Sequence, residues 1–219
     1  MRMSREFDIN TIDISRAKKP TIWDFSNKVL YDLCGKHPKH DDERIVAAKL
    51  CIIGRTYAAS IERRTLNSEL GKDRLYIKVA RELRSIDKHL QQIPRNGSIE
   101  RNKCHILTAH KILVELIKKA TQQEMRSFAS KYLHFHRPSS FFLYDSRAKK
   151  GFTRVRRNYH PSRQRTGKFD DKYESFFLKV LDLQEFIKCK LGEFLTPRQL
   201  DRLLLLNAAT KKKNHRLHK

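Results

Sequence analysis

Asp145 closes the run Phe141-Phe142-Leu143-Tyr144 and is followed at once by Ser146-Arg147 and a basic stretch. A carboxylate where an apolar wall meets a cationic groove can oppose a developing positive charge, or activate a water, beside a bound polyanion. Aspartate is also a common helix N-cap and a natural ion-pair partner for Arg147, and these residues alone leave the three roles open. A second group precedes it: Lys131, Tyr132, His134 and His136. On a helix Lys131 and His134 share a face, which suits either a phosphate-contacting surface or a nuclease-like acid/base pair. Polar residues at a helix C-terminus are the simpler account, because imidazoles are favourable beside the negative end of the dipole. Tyr132, His134, His136 and Tyr144 are the candidates for lining a substrate pocket. A third group is Ile53-Gly54-Arg55-Thr56-Tyr57-Ala58-Ala59, in which Gly54 permits close approach, Arg55 offers a fork for phosphate and Tyr57 can stack on a base. A buried helix with two polar residues facing water explains the same letters equally well.

Metal ligation is not expected. His37 and His40 lie near Cys34, and Cys104 precedes His105 and His110, but neither set supplies four ligands at zinc-like spacing. No metal and no cofactor is implied.

The elements that must position these groups read as helices. Residues 1–20 lack periodicity and read as an arm ending at Pro20. Thr21 caps a helix from about 22 to 34, with Trp23, Val29, Leu30 and Leu33 as its apolar positions. A long segment over 43–64 uses Ile45, Ala48, Ile52 and Ala59, with Gly54 marking a bend or a close backbone approach. Helices over about 72–91, 100–120 and 122–135 follow. The stretch 146–168 reads as a basic loop, and helices return over 171–191 and from Thr196-Pro197 onward. The expectation is an all-α, compact fold of about seven helices, with one helical domain over 21–208 and a basic tail over 209–219.

The composition sets the partner. The chain has 219 residues, and 48 Lys+Arg against 24 Asp+Glu give a formal charge of +24. Apolar positions recur along nearly the whole chain, which argues against disorder. No apolar run approaches the ~20 residues that a spanning helix needs, so no membrane is involved. The first ten residues lack the apolar core of a secretory signal, and four cysteines without CxxC spacing suit a reducing, cytoplasmic compartment. Between Ser146 and Lys168 there are nine Lys/Arg and no acid. Arg147, Lys149, Lys150, Arg154, Arg156 and Arg157 all fall there, and nucleic acid is the default partner of such a segment. No protein partner is implied.

Two stretches together resemble the helix-hairpin-helix DNA glycosylase superfamily. Ile45 to Ala59 (IVAAKLCIIGRTYAA) is similar to the helix and turn that face DNA and help fill the gap left by a flipped-out base. Met125 to Arg147 (MRSFASKYLHFHRPSSFFLYDSR) resembles the helix after the hairpin and the segment delivering a catalytic aspartate. The resemblance puts Asp145 at the position of that aspartate, where it stabilises an oxocarbenium-like sugar and orients water as the N-glycosidic bond breaks. It implies duplex DNA as partner, with Arg55 and Tyr57 at phosphate or in the vacated stack, and Lys131, Arg147, Lys149 and Lys150 along the backbone. Thr121-Gln122-Gln123-Glu124 stands where the superfamily has a glycine-rich hairpin, so the basic 147–168 stretch is expected to take over that grip. The lyase lysine of bifunctional members falls near Arg126, which cannot form a Schiff base, so a monofunctional enzyme is expected. The wider resemblance extends to bacterial enzymes acting on hypermodified phage DNA, modified cytosine among its bases. The alternatives are a non-enzymatic DNA- or RNA-binding protein and a nuclease using His134 and His136.

Overall fold

The computed structural model describes residues 7–9, 11–64, 72–156 and 159–209. The fold is all-α. Among the described residues there are ten α-helices and two 3₁₀ turns, and the only extended pairing is a single antiparallel bridge between Phe7 and Arg156. In chain order the helices are α1 (Thr11–Lys18), α2 (Ile22–Lys36), α3 (Glu43–Thr56), α4 (Lys72–Glu82), α5 (Asp87–Gln91), α6 (Ile99–Thr121), α7 (Arg126–His136), α8 (Ser146–Val155), α9 (Asp171–Leu191) and α10 (Pro197–Ala209). None is long and apolar enough to cross a membrane.

Side-chain caps set most of the boundaries. The Asp24 carboxylate accepts from the Thr21 amide at the start of α2, and Asp42 accepts from Arg44 and Ile45 at the start of α3. Ser98 and Asp170 do the same for α6 and α9, satisfying amides that would otherwise lack partners. Gly192 ends α9 in the left-handed region, as expected for glycine, but at the end of α6 that conformation falls on Gln122.

Three departures from the expected elements have physical causes. The presumed arm contains α1, because Ile14 and Ala17 find an apolar surface on α10; Arg202 there donates to the carbonyls of Ala17 and Lys19. The presumed basic loop begins with α8, whose Ala148, Phe152 and Val155 form a buried stripe at helical spacing. The 72–91 helix tightens at Leu83–Ile86 into a 3₁₀ turn, which brings those two fully buried side chains onto one line.

Two helices bury a different face from the expected one. In α2 the buried positions are Asn27, Leu30 and Cys34, so Trp23 and Val29 stand exposed beside Ile22 and Phe25. In α3 they are Val46, Lys49, Leu50, Ile53 and Gly54, leaving Ala48 and Ile52 outside. A Cβ on Gly54 would lie 3.1 Å from Ser60 Cα, so Gly54 serves close approach, as the chain folds back through Ala59. Gly151 in α8 is tighter still: a Cβ there would meet the Leu204 carbonyl oxygen at 1.9 Å. Only glycine lets α8 lie directly on α10.

Candidate active site

Asp145 is delivered by an extended segment that runs back along α7. His134 Nδ1 donates to the Phe141 carbonyl at 2.9 Å, Ser130 Oγ accepts from the Tyr144 amide at 3.0 Å, and Tyr173 of α9 donates to the Phe142 carbonyl. Phe141 through Tyr144 are all buried. The register of these contacts places Asp145 one residue further on, opposite Lys131.

The two carboxylate oxygens of Asp145 have different tasks. Oδ1 accepts from the Ala148 amide at 2.8 Å and caps α8, while Oδ2 lies 3.3 Å from Lys131 Nζ. Its ion-pair partner is therefore Lys131, from a different helix, rather than the neighbouring Arg147. Lys131 is nearly fully buried and also bonds Ser127 Oγ at 3.0 Å, with the Tyr57 ring 5.6 Å away. This pair lies on the wall of a cavity of about 900 Å³, within the roughly 300–1,000 Å³ of small-molecule sites.

The rest of that wall comes from distant parts of the chain. Trp23, Tyr57, Tyr144, Arg147 and Lys149 line it, and α10 adds Arg198 and Asp201. Arg198 donates to Asp201 at 2.8 Å, and its Nε is buried without a hydrogen-bond partner among the described residues. Burial pushes the Asp201 carboxyl up to about 6; Arg198 opposes the rise and the charge on Asp145 adds to it. Sequence reading missed this pair. The available signal was a charge at each of two i, i+3 positions inside the apolar stripe of Leu200, Leu203 and Leu204, where a solvated face was not expected.

The remaining expected site residues divide. Tyr57 is a fixed part of the wall rather than a free ring: its hydroxyl donates to Asn27 and it packs edge-on against Phe135. Arg55 is exposed at the end of α3, 3.7 Å from Glu62, and Lys150 is exposed on α8; neither lines the cavity. Arg154 points the other way and donates to the carbonyls of Asn207 and Ala208, closing the end of α10. Arg156 lines a smaller neighbouring pocket. Arg157 lies outside the described residues.

Tyr132, His134 and His136 do not line the cavity; all three are packed into the core. Tyr132 bonds His40 Nε2, whose other nitrogen bonds Asp87. His134 accepts from the Tyr31 hydroxyl at 2.8 Å while donating to Phe141, and burial pulls its imidazole down to about 3. Burial, then the neighbouring His40, hold His136 well below the usual imidazole range, and neither of its ring nitrogens finds a partner among the described residues. Such groups are neutral and shielded, which removes the geometric basis for a nuclease acid/base pair. Among the described residues no three His, Cys, Asp or Glu side chains gather as a metal would require.

A family model, HI_0787_N, described as an N-terminal domain, matches residues 11–140, more than half of the chain. The chain belongs to this family. No curated protein and no solved structure matches it significantly. The HI_0787_N span covers Trp23, Tyr57 and Lys131, and it ends just before the segment that carries Asp145. The cavity is thus built at a junction: one wall belongs to the HI_0787_N span, and Asp145 with Arg147, Lys149, Lys172, Arg198 and Asp201 come from beyond it.

Proposed function

We propose that the protein is a DNA glycosylase that takes a modified or damaged base out of the duplex into this cavity and hydrolyses its N-glycosidic bond. The observation that carries the reading is the Asp145–Lys131 pair on the wall of a roomy cavity at the edge of a cationic surface. A base inside a duplex is out of reach of such a recessed carboxylate, so it must leave the stack. As the C1′–N bond breaks, its electron pair leaves with the base and positive charge develops on the sugar. The Asp145 carboxylate opposes that charge at short range. Water then adds at C1′ and its proton passes to Asp145 Oδ2, the oxygen left free by the cap. Asp201, with its proton affinity raised by burial, donates a hydrogen bond or proton to the departing base. The exposed cations beside the cavity hold the backbone, and modified cytosine in phage DNA is the substrate class to try first.

Asp145→Asn tests this directly. The variant keeps the cap, since the amide oxygen still accepts from Ala148, but loses the charge. Base release, read by mass spectrometry, and abasic sites, read by alkali cleavage, both vanish while DNA affinity stays within about twofold. Undiminished release would sink the assignment.

The Lys131 geometry favours a second outcome of the same chemistry. Once its proton has passed to Asp145, the Lys131 amine 3.3 Å away can attack C1′; the C1′–N electron pair leaves with the base, and opening of the C1′–O4′ bond then leaves an imine. Borohydride trapping of a covalent protein–DNA adduct, lost in Lys131→Met, marks this bifunctional course; its absence marks water as the nucleophile.

A further inference from the structure

Beside the main cavity lies a second pocket of about 400 Å³, between α8 and α9, with Phe152, Phe176 and Tyr144 among its lining residues. It shares Tyr144, Lys149 and Lys172 with the main cavity, so the two are adjacent across a common wall. Five cations line it: Lys149, Arg156, Arg165, Lys172 and Lys179. Asp171 is the one acid on its wall, and none of the five forms an ion pair among the described residues. Other clustered cations meet acids: Arg163 meets Asp182, Glu185 and Glu100, and Arg81 and Arg84 both meet Glu43. Here like charges crowd around a partly apolar hollow, at a cost in self-repulsion that a bound anion would offset.

We propose that this pocket binds a backbone phosphate of the strand whose nucleotide enters the main cavity; the assignment of the strand rests on the glycosylase reading above, whereas the phosphate chemistry does not. Arginine forks and ammonium groups are the donors that recognise phosphodiester oxygens, and together they more than neutralise its single charge. The shared wall at Lys149 and Lys172 sets the bound phosphate next to the nucleotide in the cavity. The Lys149 ammonium already lies 5.1 Å over the Tyr144 ring, which holds it at the partition between the two spaces. Lys179 registers the crowding: burial first, then Arg156 and Arg165, hold its ammonium below the usual lysine range. Of the five, Arg165, Lys172 and Lys179 come from outside α8 and its end, so the anion is gripped by the folded junction of two helices rather than by a run of sequence.

The double variant Arg165→Ala/Lys179→Ala, made in both the parent and Asp145→Asn, tests the site. Duplex affinity is measured across a salt series, with inorganic phosphate as a separate titrant and Lys188→Ala, an exposed α9 lysine outside both pockets, as the charge control. The expected result is about tenfold weaker DNA binding with the salt slope reduced by about one phosphate contact, in both backgrounds, and less than a twofold change for Lys188→Ala. Lys179→Gln, which relieves repulsion without DNA, raises the melting temperature. An equal loss in Lys188→Ala reduces the effect to bulk charge and overturns the proposal. So does unchanged affinity and slope in a double variant that melts normally, or tight binding of inorganic phosphate that leaves duplex affinity untouched. Because the effect is read in Asp145→Asn as well, failure of the catalytic assignment and failure of the phosphate site give different patterns.

Discussion

Helix α7 carries Lys131 to the wall of the cavity and, three residues on, His134 into the core. Both side chains lie against the same returning segment, Lys131 at Asp145 and His134 at Phe141. The lysine meets a carboxylate oxygen that the helix cap leaves unused, with a space beyond it. The histidine has both nitrogens occupied, by a carbonyl and by the Tyr31 hydroxyl. The difference teaches that residue type does not assign a role along this helix. What the partner leaves unfilled does, and His134 acts through position by fixing the segment that delivers Asp145.

Breaking the two ends of that contrast gives separate signatures. Lys131→Met lowers turnover by about 10²-fold or more and leaves the melting temperature close to the parent's, since a methionine fills the same volume. His134→Ala lowers both together, with a stability loss of about 2–3 kcal/mol from an unfilled site and an orphaned carbonyl. Calorimetry beside a base-release assay separates them, and a His134 variant of full stability and no activity would collapse the contrast.

Gly151→Ala probes what holds the far wall. The added methyl meets the Leu204 backbone, which has no rotamer to give, so the fold loses about 3 kcal/mol. Denaturant unfolding reads this, and the surviving folded fraction loses activity as Asp145 and Asp201 move apart.

Acid sharpens the buried side. His110 and His134 are each pulled down to about 3 by burial, and His40 and His136 are lowered too. A histidine that is neutral when folded takes up its proton only on unfolding, so stability is full above about pH 6.5 and falls as pH drops toward 3. At pH 5 the loss is roughly 2 kcal/mol per strongly shifted histidine. Melting temperature against pH reads the slope, and His134→Gln flattens part of it. The smallest effect is Tyr57→Phe, which deletes the bond to Asn27 and costs about 1 kcal/mol with the cavity wall otherwise in place.

Most elements were legible from the sequence, because caps such as Thr21 and Asp42 and the stripe Leu75, Val79, Leu83, Ile86, Leu90 carry local signals. The faces of α2 and α3 were less so. Their apolar residues sit on both sides, and only the neighbouring helices decide that Asn27 and Lys49 go inside while Trp23 and Ile52 stay out. Asp145 was legible through its setting between aromatics and cations. Its partner Lys131 was singled out, but as a backbone contact. Arg198 and Asp201 stood out only as charges within an apolar stripe, since their place on the wall depends on α8 lying on α10, a contact between segments far apart in the chain.

That contact also imposes an order in time. Synthesis delivers the HI_0787_N span first and Asp145 soon after, but Arg198 and Asp201 follow about fifty residues later, roughly 3–10 s at ordinary translation rates. Until then α8 has no α10 to rest on and the cavity lacks a wall. A nascent chain in this interval already carries most of its cations, but not the completed cavity.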